Sequence, residues 1–207
     1  SLGSVTDLER STLGRHPWSI GGGGAAELKE MLDEAGSKTL DDWATTGVVA
    51  LLGEDDAFVR PSQLSWTRAG LHASDIRTLI TGDVLRDWSA APSAFTAFPY
   101  STEGEFTESK DIDSALWSLR TTLGRLLFFG KTRSARGLHW NEFAALMRDK
   151  LRTPLTIAFP NISTHNHFIL DRDARLFKHT APVIKLSTEA GVDEHLSLLA
   201  ILNSSVA

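Results

Sequence analysis

Apolar residues recur at three- and four-residue intervals in several stretches of the chain, and this spacing predicts helices. Leu28, Met31, Leu32 and Ala35 share one face of a predicted helix over 25–35, which Gly36 is placed to end. Thr39 followed by Asp42 resembles a capping box opening a short second helix, with Asp standing for the usual Glu or Gln. The longest stripe joins Ile112, Ala115, Leu116, Leu119, Leu123, Leu126 and Leu127 and predicts a helix over 112–129, with Arg120 and Arg125 off the stripe. A loop rich in Lys and Arg follows over 130–137. Beyond it, Trp140, Phe143, Ala144, Met147 and Leu151 share a face and predict a further helix that Pro154 stops.

The period then shortens. Residues 155–162, 167–170 and 176–186 read as strands, with 171–175 turning between the last two, and a final helix begins near Glu194. Upstream, Val48-Val-Ala-Leu-Leu52 reads as a buried strand. Residues 58–110 suggest short strands, a short helix over 84–88 capped by Asp83, and a loop over 101–110. Helices and strands mix without regular βαβ alternation, so the expected class is α+β, with mixed helices and short antiparallel strands. Ser1-Leu2 reads as a remnant of cloning, and the end of the chain just after an apolar helical pattern reads as a cut boundary. Residues 1–22 are expected to be remnant and linker, and 23–207 one region with room for two sub-lobes dividing near 110.

Composition narrows the function classes. At 207 residues, with 42% hydrophobic and 23% charged residues, the chain suits a globular domain. No apolar run approaches the roughly 20 residues a membrane helix needs, and no secretory signal opens the chain, so a cytoplasmic location without a membrane partner is expected. The absence of cysteine excludes disulfides, thiolate metal sites and a thiol nucleophile. The net charge of -5 argues against a polyanionic partner until its distribution is examined. Residues 1–56 hold 11 acids and 4 bases, whereas residues 120–152 hold 8 bases and 2 acids. One basic segment is thus available to face phosphates.

Motifs of catalysis are weak. The run Gly21 to Gly24 lacks the strand before it and the Lys-Ser/Thr pair after it that a phosphate loop requires, and reads as a flexible connection. His165 and His167 fall on one strand face with Asp171 nearby, half of a metal site without a third ligand at diagnostic spacing. Glu108-Ser-Lys110 and Glu27-Leu-Lys29 fit the acid-x-Lys end of a metal-dependent nuclease, with Asp83 or Asp87 upstream, but such tripeptides arise by chance. No Gly-x-Ser-x-Gly elbow is present. The six tryptophans, Trp18, Trp43, Trp66, Trp88, Trp117 and Trp140, could stack on bases, and read more simply as core or interface residues.

Three groups of segments carry a resemblance. They are Thr81-Gly-Asp-Val-Leu-Arg-Asp-Trp88 with Ala97-Phe-Pro-Tyr100, and Phe129-Gly130-Lys131-Thr132 with Gly137-Leu-His-Trp140. The third joins Thr153-Pro-Leu-Thr-Ile-Ala-Phe159, Thr164-His-Asn-His-Phe-Ile-Leu-Asp171, Ala181-Pro-Val-Ile-Lys-Leu186 and Leu199-Ala-Ile-Leu-Asn-Ser-Ser205. In order and spacing the chain resembles the C-terminal half of large bacterial adenine-specific DNA methyltransferases of the phage-growth-limitation (BREX) type, relatives of the fused restriction-modification methylases. The resemblance implies a target-recognition region beside a methyltransferase domain, with double-stranded DNA and that domain as partners. The chain has no Pro-Pro for the family's Asn-Pro-Pro-Tyr motif and no aromatic-x-Gly-x-Gly loop for S-adenosylmethionine. No catalytic or cofactor residue is therefore expected in this chain, and S-adenosylmethionine is expected in the missing domain. Arg120, Arg125, Lys131, Arg133, Arg136, Lys150 and Arg152 are the candidate phosphate contacts, and His165, Asn166 and His167 are the candidates for base contacts. The alternatives are a docking module of the same phage-defence enzyme and, behind it, a metal-dependent nuclease.

Overall fold

The computed structural model describes residues 10–14, 18, 24–36, 39–91, 94–151 and 154–204. It divides into two units, Ser1–Asp42 and Trp43–Ala207. In the first, a 3-10 turn Arg10–Gly14 precedes helix α1, Ala25–Ala35, whose bounds are those expected from its apolar spacing. Gly36 closes α1 by donating its N–H to the Leu32 carbonyl at 2.9 Å. The stripe of Leu28, Met31 and Leu32 is exposed. The Asp42 carboxylate accepts from the Thr39 N–H at 2.6 Å and from its hydroxyl at 3.1 Å, so the capping contact forms. What it opens is a single 3-10 turn, Leu40–Asp42.

In chain order the strands of the second unit are β1 Ala44–Gly47, β2 Ala50–Leu51, β3 Val59–Arg60, β4 Ile76–Ile80, β5 Leu85–Arg86, β6 Ser89–Ala90, β7 Ala94–Ala97, β8 Ala145–Leu146, β9 Thr156–Ala158, β10 Ile169–Asp171, β11 Leu176–Phe177 and β12 Val183–Leu186. Its helices are α2 Asp55–Phe58, α3 Gln63–Thr67, α4 Lys110–Leu116, α5 Arg120–Arg125 and α6 Val192–Leu202. One four-stranded sheet runs β1-β12-β9-β10 and is antiparallel throughout. A second runs β11-β4-β7-β3, antiparallel except for the parallel pair β11 and β4. Two short antiparallel pairs, β2 with β8 and β5 with β6, complete an α+β fold. Both large sheets join strands from the two halves of the sequence, so residues distant along the chain frame one core.

That core is built on aromatic contacts. Phe143 meets Phe58 edge-on at 5.3 Å and Tyr100 at 5.3 Å, and Phe98 lies 5.2 Å from Tyr100. Edge-to-face and tilted pairs of this kind add to area burial. Trp66 is fully buried and donates its indole N–H to the Phe95 carbonyl at 3.0 Å. Of the six tryptophans, Trp66 is in the core and half-buried Trp140 packs against it, whereas Trp18, Trp43, Trp88 and Trp117 are exposed.

Several expected elements are corrected. The helix over 112–129 is α4, a 3-10 turn Trp117–Leu119, and α5, which stops at Arg125. It stops because the Leu123 carbonyl, which a continuing helix would pair with a backbone N–H one turn on, accepts from the Arg133 guanidinium at 2.6 Å. The helix through Trp140 and Leu151 does not form. Its amides are drawn sideways: Phe143 N–H to the Tyr100 hydroxyl, Ala144 N–H to the Leu52 carbonyl, Met147 N–H to the Val49 carbonyl. The helix over 84–88 is instead the β5–β6 hairpin, turning at Asp87 and Trp88. The strand over 48–52 shortens to β2, and that over 176–186 divides into β11 and β12 around a turn in which the Ala181 N–H bonds the Lys178 carbonyl at 2.8 Å.

Candidate nucleic-acid interface

Between Asp113 and Glu142 the chain has no acidic residue, while Arg120, Arg125, Lys131, Arg133 and Arg136 lie inside that interval. The structure sorts these bases by burial. Arg120, Arg125 and Lys131 are exposed, and the Arg120 guanidinium lies 4.8 Å over the exposed Trp117 ring. Arg133 is 3% exposed. Its three guanidinium nitrogens donate to buried carbonyls, Nε to Glu142 at 2.7 Å, Nη1 to Leu123 at 2.6 Å and Nη2 to Leu52 at 3.2 Å. Gly53 makes room for it: a Cβ there would sit 2.8 Å from that of Ala144 and 3.1 Å from Arg133 Nη2, on a backbone with φ +84°. Burial holds the Arg133 guanidinium below its usual pKa, and Arg136 pushes the same way against Tyr100, Glu142 and Glu54. In this geometry Arg133 is an anchor, with no nitrogen turned to a phosphate.

The segment that Arg133 anchors carries a tight turn. The Phe128 N–H bonds the Lys131 carbonyl at 2.9 Å and the Lys131 N–H returns to Phe128 at 3.2 Å. Phe129 and Gly130 between them take φ 49° and 75°, the left-handed pair that marks a type I′ turn. Phe128 packs its ring 4.5 Å from that of Phe129, and the half-buried Arg136 covers Phe128 at 4.9 Å. Arg136 also lines a cavity of about 180 Å³ with Tyr100, Glu142 and Arg148, and its buried Nη1 has no hydrogen-bond partner among the described residues.

The remaining candidates are scattered. Lys150 is half-buried, its ammonium donating to Thr45 Oγ1 at 3.3 Å and Asp149 at 3.1 Å. Arg152 lies outside the described residues, as does most of the Gly21 to Gly24 run. Arg148, which the sequence reading passed over, pairs with Glu105 at 2.6 Å. His165 and Asn166 are exposed, whereas half-buried His167 bonds Asp87 through Nδ1 at 2.7 Å, and the two imidazoles lie 6.3 Å apart. Asp171, the third member of the imagined metal half-site, is fully buried and tied to Arg175. Among the described residues no three His, Cys, Asp or Glu side chains gather as a metal site. Of the acid-x-Lys tripeptides, Lys29 pairs with Asp33, and Ser109 is the N-cap of α4, its hydroxyl accepting from the Ile112 N–H at 3.3 Å.

Two polar features have no precursor in the sequence reading. Tyr100, buried, accepts through its hydroxyl oxygen from the Phe143 N–H at 2.8 Å, and desolvation pushes its pKa above the ordinary value despite that bond. Lys185 lies on β12, all of whose residues are buried, and desolvation pulls its pKa down to about 8, helped by Lys150 and opposed by Asp171. Neither follows from periodicity, because each depends on what a distant segment places against the side chain. The tip was within reach: Gly130 after two apolar residues is a turn signal.

No helix among the described residues is long and apolar enough to cross a membrane. No protein-family model matches the chain. Over 210 aligned residues, 99% of the chain, it is 34% identical to the adenine-specific methyltransferase PglX of Streptomyces coelicolor, and it spans 17% of that protein's length. The chain is thus related, along nearly all of its length, to one segment of an adenine-specific methyltransferase.

Proposed function

We propose that this chain is a DNA-binding target-recognition region of a cytoplasmic, phage-defence adenine methyltransferase, lying toward the C-terminus of that enzyme and not itself catalytic. The observation that carries the reading is the acid-free interval between Asp113 and Glu142, with Arg120, Arg125 and Lys131 exposed, in a chain related to an adenine-specific methyltransferase. Lys and Arg on phosphates supply affinity and register by releasing counterions, and sequence is read by the side chains those contacts bring to base edges. S-adenosylmethionine and the methyl transfer belong to the rest of the enzyme, since neither an Asn-Pro-Pro-Tyr motif nor a cofactor loop occurs here. The exposed His165 and Asn166 are the candidates for base contacts.

The test is fluorescence anisotropy of a labelled duplex at low and moderate salt, comparing the chain with R120A/R125A/K131A. Arg133 is left intact because its loss would disturb the fold. Salt-sensitive binding that the triple variant loses supports the reading, and absence of binding at low salt overturns it. A second reading, docking on the methyltransferase domain, is favoured by the exposed apolar face of Leu28, Met31 and Leu32 on α1. It expects the chain to be pulled down by the rest of the enzyme and M31D to abolish that capture.

A further inference from the structure

We propose that Phe129 is an aromatic wedge that enters the base stack of duplex DNA, with Arg125 and Lys131 on the phosphates to either side. The proposal rests on the DNA-binding reading and adds to it the residue that deforms the duplex. Among the described residues, three that are not glycine take a left-handed φ: Trp88 at 64°, Phe129 at 49° and Ala174 at 49°. A bulky side chain in that region is strained, and persists where the surroundings impose it, often at a site of function. Phe129 is also the most exposed large hydrophobic side chain described, at 92%.

The strain is imposed from below. Two hydrogen bonds between Phe128 and Lys131 close the turn, Arg136 covers Phe128, and Arg133 binds the end of α5 just upstream. The ring is therefore presented on a supported turn. A Cβ built on Gly130 would meet nothing within 4 Å, so the tip is unobstructed. Along the chain the charge beside it has one sign: Arg125 and Lys131 are exposed, and no acid occurs between Asp113 and Glu142. Trp88 makes the contrast. It sits in a hairpin turn in which Trp88 but not Asp87 takes a positive φ, and it adjoins a carboxylate, Asp87, that His167 holds. An exposed apolar ring with exposed cations close by in the chain matches the chemistry of side chains that insert between base steps and unstack them. Stacking on a ring accepts any base, so the wedge contributes deformation and the base contacts lie elsewhere.

The experiment titrates the chain into two fluorescein-labelled duplexes, one fully paired and one with a single central abasic site, at low salt. A gap prepays the unstacking, so the chain is expected to prefer the abasic duplex by about tenfold, since unstacking costs a few kcal/mol. F129A is expected to lose that preference while binding the paired duplex within about twofold of the parent. R125A/K131A is expected to weaken both duplexes alike. With 2-aminopurine next to the gap, emission rises with the parent chain and not with F129A. Equal affinity of the parent for both duplexes overturns the wedge. So does a preference that F129A retains, or an equal loss on both duplexes in F129A. No binding to either duplex overturns the DNA reading beneath it, an outcome distinct from all of these. Circular-dichroism melting of F129A, expected to match or exceed the parent, separates these readings from misfolding.

Discussion

Arg133 and Phe129 belong to one short stretch of chain and end in opposite environments. The arginine, the most polar side chain available, is sealed beneath Leu52, Leu123 and Glu142 with each guanidinium nitrogen on a carbonyl. The phenylalanine stands in solvent on a backbone conformation it disfavours. Ordinary partitioning would have reversed the two. Buried charge survives where its hydrogen bonds are met, and here it joins α5, the β2 region and the 139–144 turn at one point. An exposed apolar ring under strain contributes little to folding, so its presence calls for a different reason. The difference separates the bases that hold the molecule together from those free to act on a partner.

The largest effect is expected for R133M, which leaves the buried Leu123 and Glu142 carbonyls without a donor, removes one of the two donors on Leu52, and should destabilise the fold by roughly 3 kcal/mol or more in denaturant titration. A loss below about 1 kcal/mol would place Arg133 with the surface bases. Next is the pH dependence tied to Lys185. Its folded pKa lies near 8, below the usual 10.5, so between these values the unfolded chain carries a proton the folded chain lacks. Stability should therefore rise with pH across that window, by up to about 1.4 kcal/mol per pH unit, and K185M should flatten the rise. Tyr100, whose pKa is raised, works against stability only above the ordinary tyrosine range, once unfolded tyrosine begins to ionise. Y100F leaves the Phe143 N–H unpaired and should cost about 1 to 2 kcal/mol in thermal melts.

At the exposed end the signs reverse. F129G relieves a left-handed φ and should stabilise the chain by about 0.5 to 1 kcal/mol, a rise in melting temperature accompanied by loss of the abasic preference. A fall would mean that the ring's contact with Phe128 outweighs the backbone strain. R120A/R125A/K131A should shift stability by no more than about 0.5 kcal/mol per residue. It should also reduce the slope of log affinity against log salt by about 0.9 for each phosphate contact removed. Large destabilisation by this variant would erase the distinction between anchoring and exposed bases.

The leucine stripe shows how far periodicity reaches. Ile112, Leu116 and Leu123 are buried as spacing predicts, yet the helix stops short of Leu127 and Phe129, which stand exposed. The terminator is a side chain arriving from residue 133, and no local window contains it. The failed helix through Trp140 has the same origin, because Val49, Leu52 and Tyr100 compete for its amides and prevail. Among the candidate bases, composition drew attention to the segment but could not sort Arg133 from Lys131, since both sit in the same loop with the same charge.

By itself the sequence determined the α+β class, helix α1 with its glycine stop, the capping contact at Thr39, and the concentration of unopposed positive charge between Asp113 and Glu142. These depend on neighbours within a turn or two, where spacing and cap chemistry dominate. Only the tertiary structure decided which arginine is sealed, where α5 ends, and that no helix forms through Trp140. Those outcomes are set by carbonyls and amides that segments far apart in the chain bring together, and the requirement that each buried polar group find a partner outweighs local preference.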